Sequence, residues 1–198
     1  ALPGVRAKSA GMGGDQAGRL KTTIREALRG CDVLLTTGGV SAGDYDLVPE
    51  ILGELGVRCV FHKLRIKPGK PLWFGLSKKG QQVFGLPGNP VSTLTTFHEF
   101  VLPALRALMG QSAEAARPQG MYLPLAEDIA KKTPLLEYAR ARLLPGSAGE
   151  YARVAPAAHG GSGDFYSLTQ SDGVLVLPEK EHLFERGQVV EYHPWRWH

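Results

Sequence analysis

Apolar positions along the chain change their spacing at recognisable points. After fourteen residues without a clear period, Leu20, Ile24, Ala27 and Leu28 recur at helical spacing, Asp15 stands where an N-cap is expected, and Gly30 closes the run. Val33 to Thr37 then reads as a short strand apolar on both faces, the pattern of a buried central strand in a parallel sheet. It empties into Gly38-Gly39-Val40-Ser41-Ala42-Gly43-Asp44-Tyr45-Asp46. A second amphipathic helix follows, with Val48, Ile51, Leu52 and Leu55 on one side and Gly56 as its stop. Strands are predicted at Val57 to Phe61, Leu72 to Leu76 and Gln82 to Gly85, the last two around the Ser77 to Gly80 turn. Asn89 as N-cap and Pro90 at the first position open a long helix with the stripe Leu94, Phe97, Val101, Leu105 and Leu108. Pro103 should kink that helix, because proline lacks the N–H its turn requires.

Gln111 to Gly120 is polar and small and reads as a linker. Beyond it, short apolar runs recur between Gly and Pro breaks: Met121 to Leu125, Tyr138 to Leu144, Glu150 to Val154, Phe165 to Leu168, Val174 to Leu177 and Val189 to Tyr192. The expectation is an α/β layer domain over 1–112 followed by a small all-β barrel or compact sandwich over 113–198.

Composition narrows the function. The chain has 198 residues, long enough for one ordinary domain or two small ones with a core. At 43% hydrophobic and 21% charged, it is not a disordered chain. No run of about 18 apolar residues could cross a membrane, and the first residues lack the pattern of a signal peptide. Cys31 and Cys59 alone do not make a disulfide framework, which suits a reducing cytoplasm. A net charge of +4 without a basic run gives little support to nucleic-acid binding.

Three loops carry candidate chemistry. Glycine backbone from Gly38 can wrap a phosphate or a polar heterocycle, and Asp44 and Asp46 beside it could hold Mg²⁺; a tight strand-to-helix turn capped by Asp46 accounts for the same letters. Lys67-Pro68-Gly69-Lys70-Pro71 fixes two ammonium groups on a stiff backbone, a receptor for a multiply charged oxyanion. Gly85-Leu86-Pro87-Gly88-Asn89-Pro90-Val91-Ser92 presents a helix N-terminus, which attracts anions and is equally a well-made cap. His62, His98 and Glu99 form no metal pattern, and neither G-x-S-x-G nor G-x-x-x-x-G-K-[ST] occurs.

In this order, Thr36 to Asp46, Lys67 to Pro71 and Gly85 to Ser92 resemble the molybdopterin molybdenumtransferases, the MoeA family that includes the gephyrin E domain. Tyr138 to Leu143, Gly161 to Gly163 and Asp172 to Pro178 are similar to the C-terminal domain of that family. Two sister families, the molybdopterin adenylyltransferases and the CinA-like proteins, share the α/β domain but normally lack K-P-G-K-P followed by G-L-P-G-N-P. The resemblance implies a three-layer, MogA-like molybdopterin-binding domain and then the β-barrel domain. It implies insertion of molybdenum from molybdate into adenylylated molybdopterin with release of AMP, supported by Mg²⁺ at Asp44 and Asp46, in a cytoplasmic homodimer.

Site residues follow from the same resemblance. Asp15 and Asp46 fall on functional acids, and Lys67 and Lys70 on oxyanion-binding lysines. Gly38, Gly39, Val40, Ser41 and Gly43 belong to the pterin loop. Gly69 and Pro71 accompany the lysines, and Pro87, Gly88, Asn89, Pro90 and Ser92 form the third loop. Arg140, Ser162 and Ser167 match β-domain residues that face the site. The family's usual opening strand, T-G-D-E and first helix are not found, and its D-D-P reads Asp15-Gln16-Ala17, so the chain reads as a C-terminal fragment with an incomplete α/β domain. The gephyrin branch also supplies the alternative of a non-catalytic binding or scaffold protein.

Overall fold

A computed structural model of the chain describes residues 2–14, 16–40, 47–147, 151–157 and 164–195. The elements in chain order are α1 Ala17–Leu28, β1 Val33–Thr37, α2 Val48–Glu54, β2 Arg58–His62, β3 Ile66–Lys67, β4 Trp73–Leu76, β5 Gln82–Leu86 and α3 Pro90–Thr96. A π-helical turn, Phe97–Val101, leads into α4 Leu102–Leu108 and α5 Ala113–Ala116. Then come β6 Met121–Pro124, β7 Ile129–Ala130, β8 Leu136–Leu144, β9 Arg153–Pro156, α6 Tyr166–Thr169, β10 Gly173–Leu177, β11 Leu183–Phe184 and β12 Val189–Pro194. Two compact units result: Ala1–Leu64 with Gly69–Asn89, and Arg65–Pro68 with Pro90–His198. The expected boundary after residue 112 falls inside the second unit.

The first unit is a mixed α/β layer. Its sheet runs in the order β1-β5-β4-β2, with β1 and β5 parallel and the other pairs antiparallel. Ile24 of α1 and Val48, Ile51 and Leu52 of α2 pack with Leu34, Val40, Val57, Trp73 and Val83 into one core. One expectation needs correction. Among the described residues β1 is an edge strand rather than a central one, and Leu35 on its outer face is 39% exposed. The apolar run was a fair sign of burial on one face only. β5 and β4 lie between β1 and β2. At the start of α1 the cap position is held by Gln16, whose carbonyl accepts the Leu20 N–H at 3.0 Å, with no side-chain cap; Asp15 lies outside the described residues.

The second unit is built on a six-stranded sheet. Its pairing order is β3-β8-β10-β12-β6, with β9 on β8. The ladders form an open path. One isolated parallel bridge, Leu125 to Val154, links the residue after β6 to β9, and the Ala126 N–H donates to the Val154 carbonyl at 2.8 Å. The ladders leave the sheet open, so the expected barrel is only approached. Its core is Leu125, Ala141, Val154, Leu175, Leu177, Phe184, Val190 and Tyr192.

The long helix departs from a simple kink. Pro103 has no N–H to return to the carbonyl four residues back, and the turn before it widens, with the Leu102 N–H donating to the Phe97 carbonyl five residues earlier. The linker region is also not structureless: Ser112 Oγ accepts the Ala115 N–H at 3.2 Å and caps α5. Phe165 to Leu168, expected among the β runs, forms α6, because the Asp164 carboxylate accepts the Ser167 N–H at 3.1 Å and starts a helical turn.

Candidate functional site

Parallel pairing of β1 with β5, from Val33 opposite Gln82 to Thr37 opposite Leu86, brings both carboxyl ends to one edge. This is where ligands of open α/β sheets collect. The Gly38 N–H extends the ladder by donating to the Leu86 carbonyl at 3.0 Å. Gly38 and Gly39 then adopt φ of 81° and 68°, left-handed backbone that favours glycine. A Cβ on Gly88 would lie 3.3 Å from the Gly38 Cα, so the first and third loops touch backbone to backbone. A Cβ on Gly39 would stand 2.9 Å from a methyl of Val48. Side chains are kept out of this edge by packing.

The Val40 side chain is buried in the core against Gly85, where a Cβ would approach its methyl to 2.6 Å, so Val40 could serve a ligand only through its backbone. Its carbonyl accepts from His62 Nε2 at 3.2 Å, which gives His62 a partner and fixes that nitrogen as the protonated one. Thr36 Oγ1, two residues before Gly38, is buried without a hydrogen-bond partner among the described residues. Pro87 is buried, Gly88 exposed and Asn89 half-buried.

The lysine loop is a tight turn. The Leu72 N–H donates to the Gly69 carbonyl and the Leu64 N–H to the Lys70 carbonyl, each at 2.9 Å. Gly69 has φ 107°, and the Lys67–Pro68 peptide is cis. Lys70 is exposed and Pro71 half-buried in the first unit. Lys67 belongs to the second unit, where β3 lies parallel to β8 with Lys67 opposite Glu137. Its Nζ stands 3.2 Å from Glu137 Oε1, and Thr133 Oγ1 donates to the other oxygen at 3.1 Å. Sequence reasoning missed Glu137, since the parallel pairing of two distant segments leaves no local sign.

In the second unit Arg140 and Ser167 come together. Both are buried, and Arg140 Nη1 donates to Ser167 Oγ and, at 2.9 Å, to the Asp164 carbonyl. Burial pulls the guanidinium below its ordinary range, and Asp164 opposes that shift. Pro90 opens α3 as expected, and the Ser92 carbonyl accepts from Thr96 Oγ1 at 2.8 Å. Asp15, Ser41, Gly43, Asp44, Asp46 and Ser162 lie outside the described residues. Among the described residues no group of three or more His, Cys, Asp or Glu could hold a metal ion.

One further cluster was not foreseen. His193 Nδ1 lies 2.8 Å from Glu99 Oε2 and Nε2 lies 3.0 Å from Glu191 Oε1, so both ring nitrogens face carboxylate oxygens, an arrangement that favours the protonated ring. Burial pushes its pKa down, but the hydrogen bonds and charges of Glu99 and Glu191 outweigh burial and hold it above the ordinary value. Tyr138 is pushed well up by burial and by the same two carboxylates. His98 is lowered to about 4 by burial and by Arg106. His98, Glu99 and His193 line a cavity of about 310 Å³ whose walls include Leu102, Met121 and Leu143. Glu99 and His193 are 94 residues apart, and no motif links them.

Comparison with known proteins identifies the family. Residues 3–107 match the model of a probable molybdopterin binding domain, and residues 122–195 match the MoeA C-terminal region (domain IV). The molybdopterin molybdenumtransferase of Staphylococcus aureus is 33% identical over 168 residues, covering 85% of this chain and 39% of the relative. That of Staphylococcus epidermidis is related to the same extent. The structure of the molybdopterin biosynthesis MoeA protein from Pyrococcus horikosii superposes with a TM-score of 0.72 at 30% identity, covering 92% of this chain and 42% of that one. A molybdenum cofactor biosynthesis protein from Pyrococcus furiosus gives 0.67 at 28% identity, covering 91% and 55%. The chain thus spans about two fifths of the length of the curated relatives it matches. With the glycine loops meeting at one sheet edge and both domain models matched in order, the chain belongs to the MoeA family.

Proposed function

We propose that the chain serves molybdenum cofactor biosynthesis by inserting molybdenum from molybdate into adenylylated molybdopterin, with release of AMP. The observation that carries this reading is the backbone contact of Gly38 with Gly88 at the carboxyl ends of β1 and β5. A flat polar heterocycle with a phosphate tail needs backbone it can approach without side chains in the way, and this edge supplies it. Its chemistry is positioning and charge compensation more than covalent catalysis. By the resemblance, Lys67, Lys70, Asn89 and Pro90 are the oxyanion-binding residues. Arg140, Ser162, Ser167, Ser92, Ser41, Gly43, Gly69, Pro71 and Pro87 take substrate-binding roles by the same resemblance.

The resemblance also suggests Mg²⁺ at Asp44 and Asp46, roles for Asp15 and Asp46 as functional acids, a homodimer, a cytoplasmic location and a domain boundary after residue 112. The test is molybdate-dependent AMP release from adenylylated molybdopterin by the protein carrying this chain, together with separate binding of each substrate. Lys67→Ala should weaken molybdate binding about tenfold or more while leaving pterin binding within about twofold. Equal loss of both would remove Lys67 from the oxyanion role, and pterin binding without turnover would favour the scaffold alternative.

A further inference from the structure

Lys67 is not an isolated cation. Register places it directly opposite Glu137, and its ammonium rests 3.2 Å from that carboxylate. The two partners are unequally held. The Lys67 side chain is 47% exposed, whereas that of Glu137 is 16% exposed and its second oxygen is fixed by Thr133 Oγ1. The carboxylate therefore stays and the ammonium is the part that can turn. A lysine ammonium has three donors, and Glu137 uses one of them, which leaves two for an oxyanion.

We propose that Glu137 is a positioning residue for Lys67 and its resident counter-ion: it keeps the ammonium in place above the β3–β8 pair and lowers the hold of Lys67 on any arriving tetrahedral oxyanion. This rests on the reading of Lys67 as an oxyanion-binding residue and adds the control of that site. A fixed negative charge beside the cation repels a dianion more than a monoanion. It thus trades affinity for release, which suits a guest that must be passed on rather than stored.

The experiment measures molybdate binding by calorimetry at low and high salt for the wild-type protein, Glu137→Gln, Lys67→Ala and the double variant. Glutamine keeps one carbonyl oxygen to accept from Lys67, and its amide N–H can donate to Thr133 Oγ1, while the charge is removed. Glu137→Gln should bind molybdate roughly three- to tenfold more tightly at low salt, the size expected for one charge about 7 Å from a dianion in a water-like medium. The gain should shrink as salt rises, and in the Lys67→Ala background it should fall by at least half. Perrhenate, a tetrahedral monoanion, should gain less than molybdate. Unchanged or weaker binding by Glu137→Gln, with unfolding midpoints equal to wild type, overturns the proposal. So does an equal gain with and without Lys67. Wild-type protein that binds no molybdate defeats the oxyanion reading itself, a separate outcome from wild-type binding that Glu137→Gln leaves unaltered.

Discussion

At the edge of the first unit's sheet, Gly38 and Gly88 meet with only backbone between them. In the second unit, Glu99, His193 and Glu191 put three ionisable side chains in contact with little water around them. The first arrangement is purchased sterically: it fails when atoms are added. The second is electrostatic: it fails when a charge is removed or a proton moves. Different substitutions and different solution conditions should therefore damage the two regions, and each can be broken while the other stays intact.

The largest effect is expected from Glu99→Leu. Its side chain is 3% exposed, and without it His193 is left buried beside Glu191 alone. Breaking a buried pair this way costs about 3 kcal/mol, to be read by urea unfolding near pH 6, with the first unit's pterin binding preserved in the native baseline. A loss below about 1 kcal/mol would mean that the cluster is solvated in practice.

Next in size is a pH effect with two opposite arms. His193 is held above its ordinary value, so its contribution is complete below about pH 6.5, the unfolded value, and is lost as pH rises through the folded pKa. His98 is lowered to about 4, so its contribution is complete above about pH 6.5 and is lost as pH falls towards 4. Together the two histidines favour the folded state most in the middle of that span. Unfolding midpoints from pH 4 to 9, taken as differences from Glu99→Gln and His98→Gln, should show the alkaline loss removed by the first variant and the acid loss removed by the second. If both variants shift the curve equally at all pH values, the histidines are not its source.

The smallest cost in stability belongs to the glycine edge. Gly38→Ala forces a side chain into φ of 81° and should cost about 1 kcal/mol. Gly88→Val should cost about 1–2 kcal/mol, since its Cβ meets the Gly38 backbone. Pterin binding, by contrast, should fall at least tenfold in Gly88→Val. Retained binding would show that the ligand does not approach this backbone.

Much of this was legible in the chain itself. Helical spacing of Leu20, Ile24, Ala27 and Leu28 gave α1, and the glycines of the first and third loops marked backbone that meets at the sheet edge, because glycine acts through local conformation. What escaped depends on long-range pairing. The edge position of β1 follows from which strands join the sheet, and no property of Val33 to Thr37 encodes it. Glu137 meets Lys67 through a parallel pair across 70 residues. The π-turn arises because Pro103 acts on the preceding turn, which a search for a kink at the proline overlooks. Val40 looked like part of a ligand loop and turned out to anchor that loop in the core.

The lone bridge between Leu125 and Val154 has a consequence for deuterium uptake. β10 is flanked by β8 on one side and β12 on the other, so its amides are shielded by two ladders and should exchange only when the whole unit unravels. The Ala126 amide, holding the Val154 carbonyl at the seam, needs only a local unzipping to meet solvent. It should label orders of magnitude sooner than Leu175, and the link between the end of β6 and β9 should part first.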